Sequence, residues 1–115
     1  MQHKEKILLQ KIILEICKMI EFLKDETLEN FLTDERNKYA VAMAAVKIGE
    51  FIKNLTPEFR TKNNHVSWKQ FAGFRDIVAH RYDTLDMELV YIAVKKDFPK
   101  LKMQIEKILE ADVEE

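Results

Sequence analysis

The sequence predicts an all-α fold, an antiparallel bundle of about four to five helices. Two observations support this prediction. Only two Gly and two Pro occur among 115 residues, and apolar residues recur in three long segments with an average step of about 3.5 residues. No segment shows the alternating pattern of a strand. A chain of this length can bury one modest core, so we expect a single domain over residues 1–115.

The three apolar stripes define the long helices. The first stripe has spacings of four, three, four and three residues: Leu9, Ile13, Ile16, Ile20 and Leu23. The second repeats those spacings: Val41, Ala45, Ile48, Ile52 and Leu55. The third continues them for longer: Met87, Tyr91, Val94, Phe98, Leu101, Ile105 and Ile108. Residues at this spacing share one face of a helix, so we expect all three stripes to lie in the core.

Capping residues and prolines indicate where the helices begin and end. Ser, Thr and Asp side chains accept hydrogen bonds from the free N–H groups of a helix's first turn. The candidate N-caps, in chain order, are Thr27, Thr33 or Asp34, Ser67, and Thr84 or Asp86. Pro57 suits the first position of a short helix. Pro99 has no amide donor, so we expect the last helix to be kinked or split there.

The helix that begins after Ser67 carries the residues best suited to chemistry. Arg75, Asp76, His80 and Tyr82 lie within eight consecutive positions. Arginine is a permanent cation, histidine titrates near neutral pH, and tyrosine adds a phenol. A helix that only packs has no need of this set, whereas a site that handles phosphates would use each member.

The helical arrangement of these residues leaves several alternatives open. Arg75 falls within the apolar arc, so it acts at an interface, bridges a carboxylate from another helix or snorkels past Phe71. Asp76 and His80, four residues apart, can form a functional pair or a solvated pair. Arg75 and His80 are about 140° apart around an ideal helix. A two-fold axis near this helix would bring Arg75 and His80 of two chains together.

Gly73 lies inside the same helix, on the polar arc about two turns before His80. A glycine in a helix interior is unfavourable by about 1 kcal/mol relative to alanine, so we expect a specific reason for it. It either admits a ligand or a neighbouring backbone, or it allows a simple helix crossing.

Composition and missing motifs restrict the class of protein. The formal net charge is -1, from 19 basic and 20 acidic residues, which argues against a broad basic surface for nucleic acid but not against a local cationic cleft. No metal-ligand cluster or glycine-rich phosphate loop occurs, so we expect no metal and no cofactor. No signal peptide or membrane-spanning run is found, and Cys17 is the single cysteine. We therefore expect a cytoplasmic protein without membrane contact.

The motif and its surroundings closely resemble the HepT-like ribonuclease toxins of the HEPN superfamily. The family pattern is Arg, four residues, His, one residue and Tyr, with a polar residue after the Arg. Arg75, Asp76, His80 and Tyr82 meet this pattern. The resemblance runs from about Ile7 to Leu109 and includes the lead-in over 67–74, the turn over 82–86 and the kinked last helix over 95–101. It implies one HEPN/HepT-like domain.

The resemblance also implies a function and partners. The expected protein is the toxin of a toxin–antitoxin pair, a homodimeric, metal-independent endoribonuclease that cleaves tRNA or mRNA by attack of a 2′-hydroxyl on its neighbouring phosphate. His80 would be the general acid/base, Arg75 would stabilise phosphate charge, and Asp76 would orient His80 or contact ribose. An MntA-like minimal nucleotidyltransferase antitoxin would transfer AMP to Tyr82. Candidate RNA contacts are Lys69 and Arg81.

Two other functions are compatible with the same residues. One is a non-catalytic HEPN module that binds substrate or nucleotide for a partner nucleotidyltransferase. The other is a helical dimerisation domain in which Arg75 is only structural.

Overall fold

Seven α-helices form the protein in the computed structural model, which describes residues 1–114. They are α1 His3–Phe22, α2 Leu28–Thr33, α3 Glu35–Lys53, α4 Pro57–Lys62, α5 Trp68–Arg81, α6 Met87–Lys95 and α7 Asp97–Glu114. A 3-10 turn, Tyr82–Thr84, follows α5. No strand occurs in this range. The all-α prediction is confirmed: four helices of 14 to 20 residues form the bundle, and shorter helices connect them.

Helix α3 lies between α1 and α5 and runs antiparallel to both. On the α1 side, Glu15 bonds Lys47 and the Phe22 carbonyl accepts from Asn37, so a later residue of α1 meets an earlier residue of α3. On the α5 side, Asp76 pairs with Lys53 at the C-terminal end of α3. Tyr82, which directly follows α5, stacks on Tyr39 near the N-terminal end of α3. Helices α6 and α7 pack against α1 and close the bundle.

The predicted stripes form most of the core. All five residues of the second stripe are buried, and the third is buried from Val94 to Ile105. The first stripe is partly wrong, because Ile20 is 36% exposed while Ile12 and Met19 are fully buried. Helix α1 is covered by α3 on one side and by α6 and α7 on the other. Its buried face is therefore turned by about one residue from the predicted face.

Most of the predicted helix boundaries are confirmed. Thr27, Asp34 and Asp86 each accept an N-cap hydrogen bond from the first turn of the following helix. Pro57 occupies the start of α4, as predicted. Ser67 does precede α5, but its side chain makes no capping hydrogen bond, so the predicted side-chain cap is absent there.

The last helical segment is split rather than kinked at Pro99. Helix α6 ends at Lys95 and α7 begins at Asp97, which places Pro99 in the first turn of α7. An amide donor is not needed there, because first-turn N–H groups have no partner within their own helix. A continuous helix would have required Pro99 to donate to the Lys95 carbonyl, which it cannot do. The break therefore falls before the proline.

No helix in residues 1–114 combines the length and apolar character needed to cross a membrane.

Candidate functional site

Helix α5 is fixed in the bundle by aromatic and aliphatic anchors. Trp68, Phe71 and Val78 are buried. The Phe71 ring lies 5.1 Å from that of Phe98 in α7, centroid to centroid. These contacts set the rotation of α5 about its axis, so that Arg75 faces α3.

Arg75 lies between α5 and α3 with 23% of its side chain exposed. Its Nη2 is 3.2 Å from Oε2 of Glu50 in α3, and its Nη1 is 3.2 Å from Oδ1 of Asp76. The Nε atom is buried and has no hydrogen-bond partner. Arg75 thus bridges a carboxylate from another helix, one of the alternatives that the sequence left open. A guanidinium held on two sides is pre-oriented to bind an anion.

Gly49 of α3 makes room for Arg75. A Cβ placed on Gly49 would lie 2.1 Å from the Arg75 Cβ, 2.7 Å from its Cγ and 3.2 Å from the Phe71 carbonyl oxygen. Real Cβ atoms do not approach other atoms to 2.1 or 2.7 Å, so only glycine permits this approach of α5 to α3. Sequence reasoning missed Gly49 and Glu50. The available signal was that Gly49 interrupts the helical segment that carries the second apolar stripe, directly after Ile48.

Asp76 is paired with cations rather than with His80. Its Oδ1 accepts a hydrogen bond from Nζ of Lys53 in α3 and a second from Arg75. The bond from Lys53 is the main cause that holds the pKa of Asp76 below its ordinary value; partial desolvation opposes it and Arg75 assists it. No hydrogen bond or ion pair joins Asp76 to His80 in the described range, so the predicted contact between them is absent in the single chain.

His80 lies at the end of α5 and is exposed to solvent. No hydrogen bond or ion pair involves its ring within residues 1–114, which leaves both nitrogens free to reach a substrate. The candidate RNA contacts Lys69 and Arg81 are also exposed. Arg81 is adjacent to His80, whereas Lys69 lies three turns earlier at the start of α5. The structure therefore separates these two cations.

Tyr82 is half-buried and stacks on Tyr39 of α3. The ring centroids are 5.1 Å apart and the ring planes differ by 18°. Burial raises the pKa of the Tyr82 phenol; Tyr39 and Glu35 add to the rise and Lys38 opposes it. Tyr39 was missed in the sequence, since its relation to Tyr82 depends on how α3 and α5 pack.

Gly73 lies beside open space. A Cβ added there would meet nothing within 4 Å, so no other element of the described chain crosses close to it. The glycine borders a cavity of about 340 Å³ lined mainly by apolar side chains, including Phe71, Phe74 and Phe98. The simple helix-crossing alternative is thereby excluded within one chain.

As for metals, residues 1–114 contain no group of three or more His, Cys, Asp or Glu placed to hold an ion.

Comparison with known proteins gives a consistent result. A family model described as "Ribonuclease HepT-like" matches residues 12–108. The chain is 32% identical, over 94% of its length and 98% of the relative, to "Probable ribonuclease HepT" of Thermococcus cleftensis. It is 35% identical, over 87% of its length and 90% of the relative, to "Putative RNase TTE0752" of Caldanaerobacter subterraneus subsp. tengcongensis.

A longer relative matches only in part. "Gamma-glutamylcyclotransferase and putative RNase MJ0434" of Methanocaldococcus jannaschii is 44% identical over 96% of this chain. This chain spans 50% of the length of that protein. No solved structure matches the chain.

Proposed function

This chain belongs to the ribonuclease HepT-like family, and we propose that it is the RNA-cleaving toxin of a toxin–antitoxin pair. One observation carries the proposal. Helix α5 presents a free, exposed imidazole, His80, little more than one turn from Arg75, whose guanidinium is held in place by Glu50 and Asp76. These are the acid/base group and the cation that phosphodiester cleavage requires.

The proposed reaction uses the substrate's own nucleophile. A base removes the proton of a ribose 2′-hydroxyl, and O2′ attacks the adjacent phosphorus. The bond from phosphorus to O5′ breaks, and an acid protonates the departing O5′. The products are a 2′,3′-cyclic phosphate and a 5′-hydroxyl end. His80 is the proton carrier, and Arg75 stabilises the extra negative charge that develops on the phosphoryl oxygens. None of these steps requires a metal ion.

The reaction needs both an acid and a base, which supports a homodimer. One chain supplies one free imidazole at this site, and its Arg75 is directed towards α3 while His80 is exposed. A two-fold axis near the end of α5 would place two His80 and two Arg75 side chains around one phosphate. One histidine would act as base and the other as acid.

Tyr82 is the proposed point of control. An MntA-like minimal nucleotidyltransferase would form a bond between the Tyr82 phenol oxygen and the phosphorus of AMP, releasing pyrophosphate from ATP. Burial raises the pKa of this phenol, so it is protonated at neutral pH. The partner enzyme must therefore supply the base that removes its proton. The added phosphate would be two residues from His80 and would repel the RNA backbone.

The test compares the unmodified protein with His80→Ala on total RNA and tRNA in excess chelator. We expect the variant to lose about 10²–10⁴-fold in cleavage rate, the usual contribution of general acid–base catalysis. The matched control is His65→Ala, since His65 is equally an exposed histidine but lies outside α5. It should cleave like the unchanged protein. The cleaved RNA should carry cyclic phosphate ends.

Two results would contradict the proposal. Equal cleavage by the unchanged protein and His80→Ala would exclude His80 from the chemistry. If intact mass showed Tyr82 free of AMP and the unchanged protein still cut no RNA, the non-catalytic binding module would be favoured. One observation already fits that module: Glu50 and Asp76 both compensate the charge of Arg75.

A further inference from the structure

An exposed stripe on α3 lies beside the motif and is not explained by core packing. Its members are Arg36, Tyr39 and Met43, spaced three and four residues apart on one face of the helix. Tyr39 is 63% exposed and Met43 is 60% exposed. Two large side chains are thus presented to solvent one turn apart, next to the candidate site.

The geometry of Tyr39 indicates what kind of group it binds. One face of its ring stacks on Tyr82 with the planes within 18° of parallel. Because the side chain is nevertheless 63% exposed, the other face is open to solvent. Two nearly parallel rings extend naturally by a third flat ring. Nucleobases stack on tyrosine in this way whatever their sequence, as in proteins that bind single-stranded nucleic acid.

The charges around the stack suit a nucleotide. Arg36 is exposed, and no ion pair engages it within residues 1–114. Arg81 is exposed next to Tyr82. Two carboxylates lie near the Tyr82 phenol, those of Glu35 and Asp83. The Glu35 carboxylate is neutralised by Lys38, whose Nζ lies 2.6 Å from Oε1 of Glu35. The positive charges of Arg36 and Arg81 therefore outnumber the remaining negative charge, that of Asp83.

We propose that Tyr39 and Tyr82 form a stacking platform for one nucleobase of a single-stranded RNA substrate, with Arg36 on an adjacent phosphate. The proposal rests on the proposed function only in that RNA is the ligand. It assigns Tyr39 a binding role and gives Tyr82 a second role besides that of AMP acceptor. The platform would hold a base beside the phosphate that His80 and Arg75 act on.

Binding can be tested without cleavage. A fluorescently labelled oligoribonucleotide that is 2′-O-methylated throughout has no free 2′-hydroxyl and cannot be cut by the proposed reaction. Its anisotropy gives the Kd of Tyr39→Leu, Tyr39→Phe and the unchanged protein. Loss of one stacked base corresponds to about 5- to 150-fold weaker binding, which is expected for Tyr39→Leu. Tyr39→Phe keeps the ring and should stay within about threefold.

The matched control is Met103→Ala in α7, which removes a side chain that is 59% exposed, similar to Tyr39, from another helix. It should not change the Kd. Sedimentation of each variant measures the oligomeric state. Weaker RNA binding by Tyr39→Leu, with the oligomeric state and the Tyr39→Phe affinity preserved, supports the platform.

Other outcomes overturn the inference. Unchanged RNA binding by Tyr39→Leu would exclude a base contact. Dissociation of the oligomer by the same variant would show that the stripe is a contact between copies of the chain. Failure of the proposed function gives a different result: the unchanged protein would bind the methylated probe through Tyr39 but leave ordinary RNA uncut.

Discussion

At the residue scale, the Asp76 carboxylate is controlled by cations of two helices. Lys53 reaches it from α3, and Arg75 reaches it from the neighbouring position of α5. The ion pair with Lys53 also compensates a carboxylate that would otherwise add negative charge near the proposed position of the RNA phosphate. Asp76 is therefore better placed to position Arg75 than to orient His80 within one chain. Its role towards ribose stays a prediction.

Replacement of Lys53 tests this assignment through the pKa of Asp76. In the folded protein this pKa lies below the ordinary value of 3.8, chiefly because of Lys53. The charged form is favoured in the folded state, so its contribution to stability is present above about pH 4 and is lost as pH falls through the folded pKa. Lys53→Met should raise the Asp76 pKa towards 3.8 and weaken that acid dependence. Carboxyl ¹³C NMR titration measures the shift directly.

The control for this titration is Lys47→Met. Lys47 pairs with Glu15 on the other side of α3. Burial alone would raise the pKa of Glu15, but bonds from Lys18 and Lys47 outweigh it and hold the pKa below normal. Lys47→Met should therefore raise the Glu15 pKa and leave that of Asp76 unchanged. An Asp76 pKa insensitive to Lys53→Met would show that the α3 cation does not hold the carboxylate.

Single residues also mark the limit of what sequence predicts. The spacing of Arg75, His80 and Tyr82 along the sequence is what identifies them as candidates. Their partners could not be selected, because Glu50, Lys53 and Tyr39 belong to a helix more than 20 residues away. Which of its faces meets α5 depends on packing, and local periodicity does not contain that information.

At the element scale, the two glycines of the chain have opposite environments. Gly49 faces the stem of Arg75 where α3 and α5 meet, and Gly73 faces open space. From the sequence, only Gly73 was expected to have a specific role, because it lies in the motif helix. The glycine that the fold requires is the other one. Both are in helix interiors with ordinary helical backbone, so neither is needed for a positive φ.

Alanine at these two positions should change stability in opposite directions. Gly49→Ala forces α5 away from α3 and should lower the free energy of unfolding by about 1–3 kcal/mol, the usual cost of overpacking. Gly73→Ala adds a methyl group without a clash and should raise it by about 0.5–1 kcal/mol through helix propensity. Urea denaturation of the two variants measures both. Equal effects of the two substitutions would contradict the close approach at Gly49.

Helix boundaries were predicted better than helix rotation. Caps and prolines are local signals, so Thr27 and Pro57 were assigned correctly, and Asp34 and Asp86 were each one of two candidates. The buried face of α1 was not, because the apolar residues of α1 allow two stripes one residue apart. Only the arrangement of α3, α6 and α7 around α1 decides between them.

At the scale of the whole molecule, attraction of RNA has to be local. The net charge is -1, so long-range attraction of a polyanion is weak. In the single chain, Glu50 and Asp76 compensate Arg75 and Lys53. In the proposed homodimer, His80 and Arg81 of both chains, which form no ion pair within residues 1–114, would lie around one axis. A homodimer would therefore provide the positive field that one chain lacks.

Mixing two inactive variants tests whether the cleft is composite. Arg75→Gln keeps the stem that packs on Gly49 and removes the charge, and His80→Ala removes the proton carrier. Each should be inactive alone. After denaturation and joint refolding in equal amounts, about half of the dimers are mixed and contain one intact Arg75 and one intact His80 from different chains. We expect these dimers to recover only a small part of the cleavage activity, because one His80 then acts beside the Arg75 of the other chain while water replaces the second His80 as proton carrier.

The result separates two arrangements that the single chain does not distinguish. If one chain used its own Arg75 with its own His80, every site in the mixture would lack one of them, and no cleavage would return. Refolding the two variants separately before mixing, without subunit exchange, is the control and should give none. Activity that requires joint refolding means that residues from two chains act on one phosphate. A modification on Tyr82 of either chain would then be positioned to block the shared cleft.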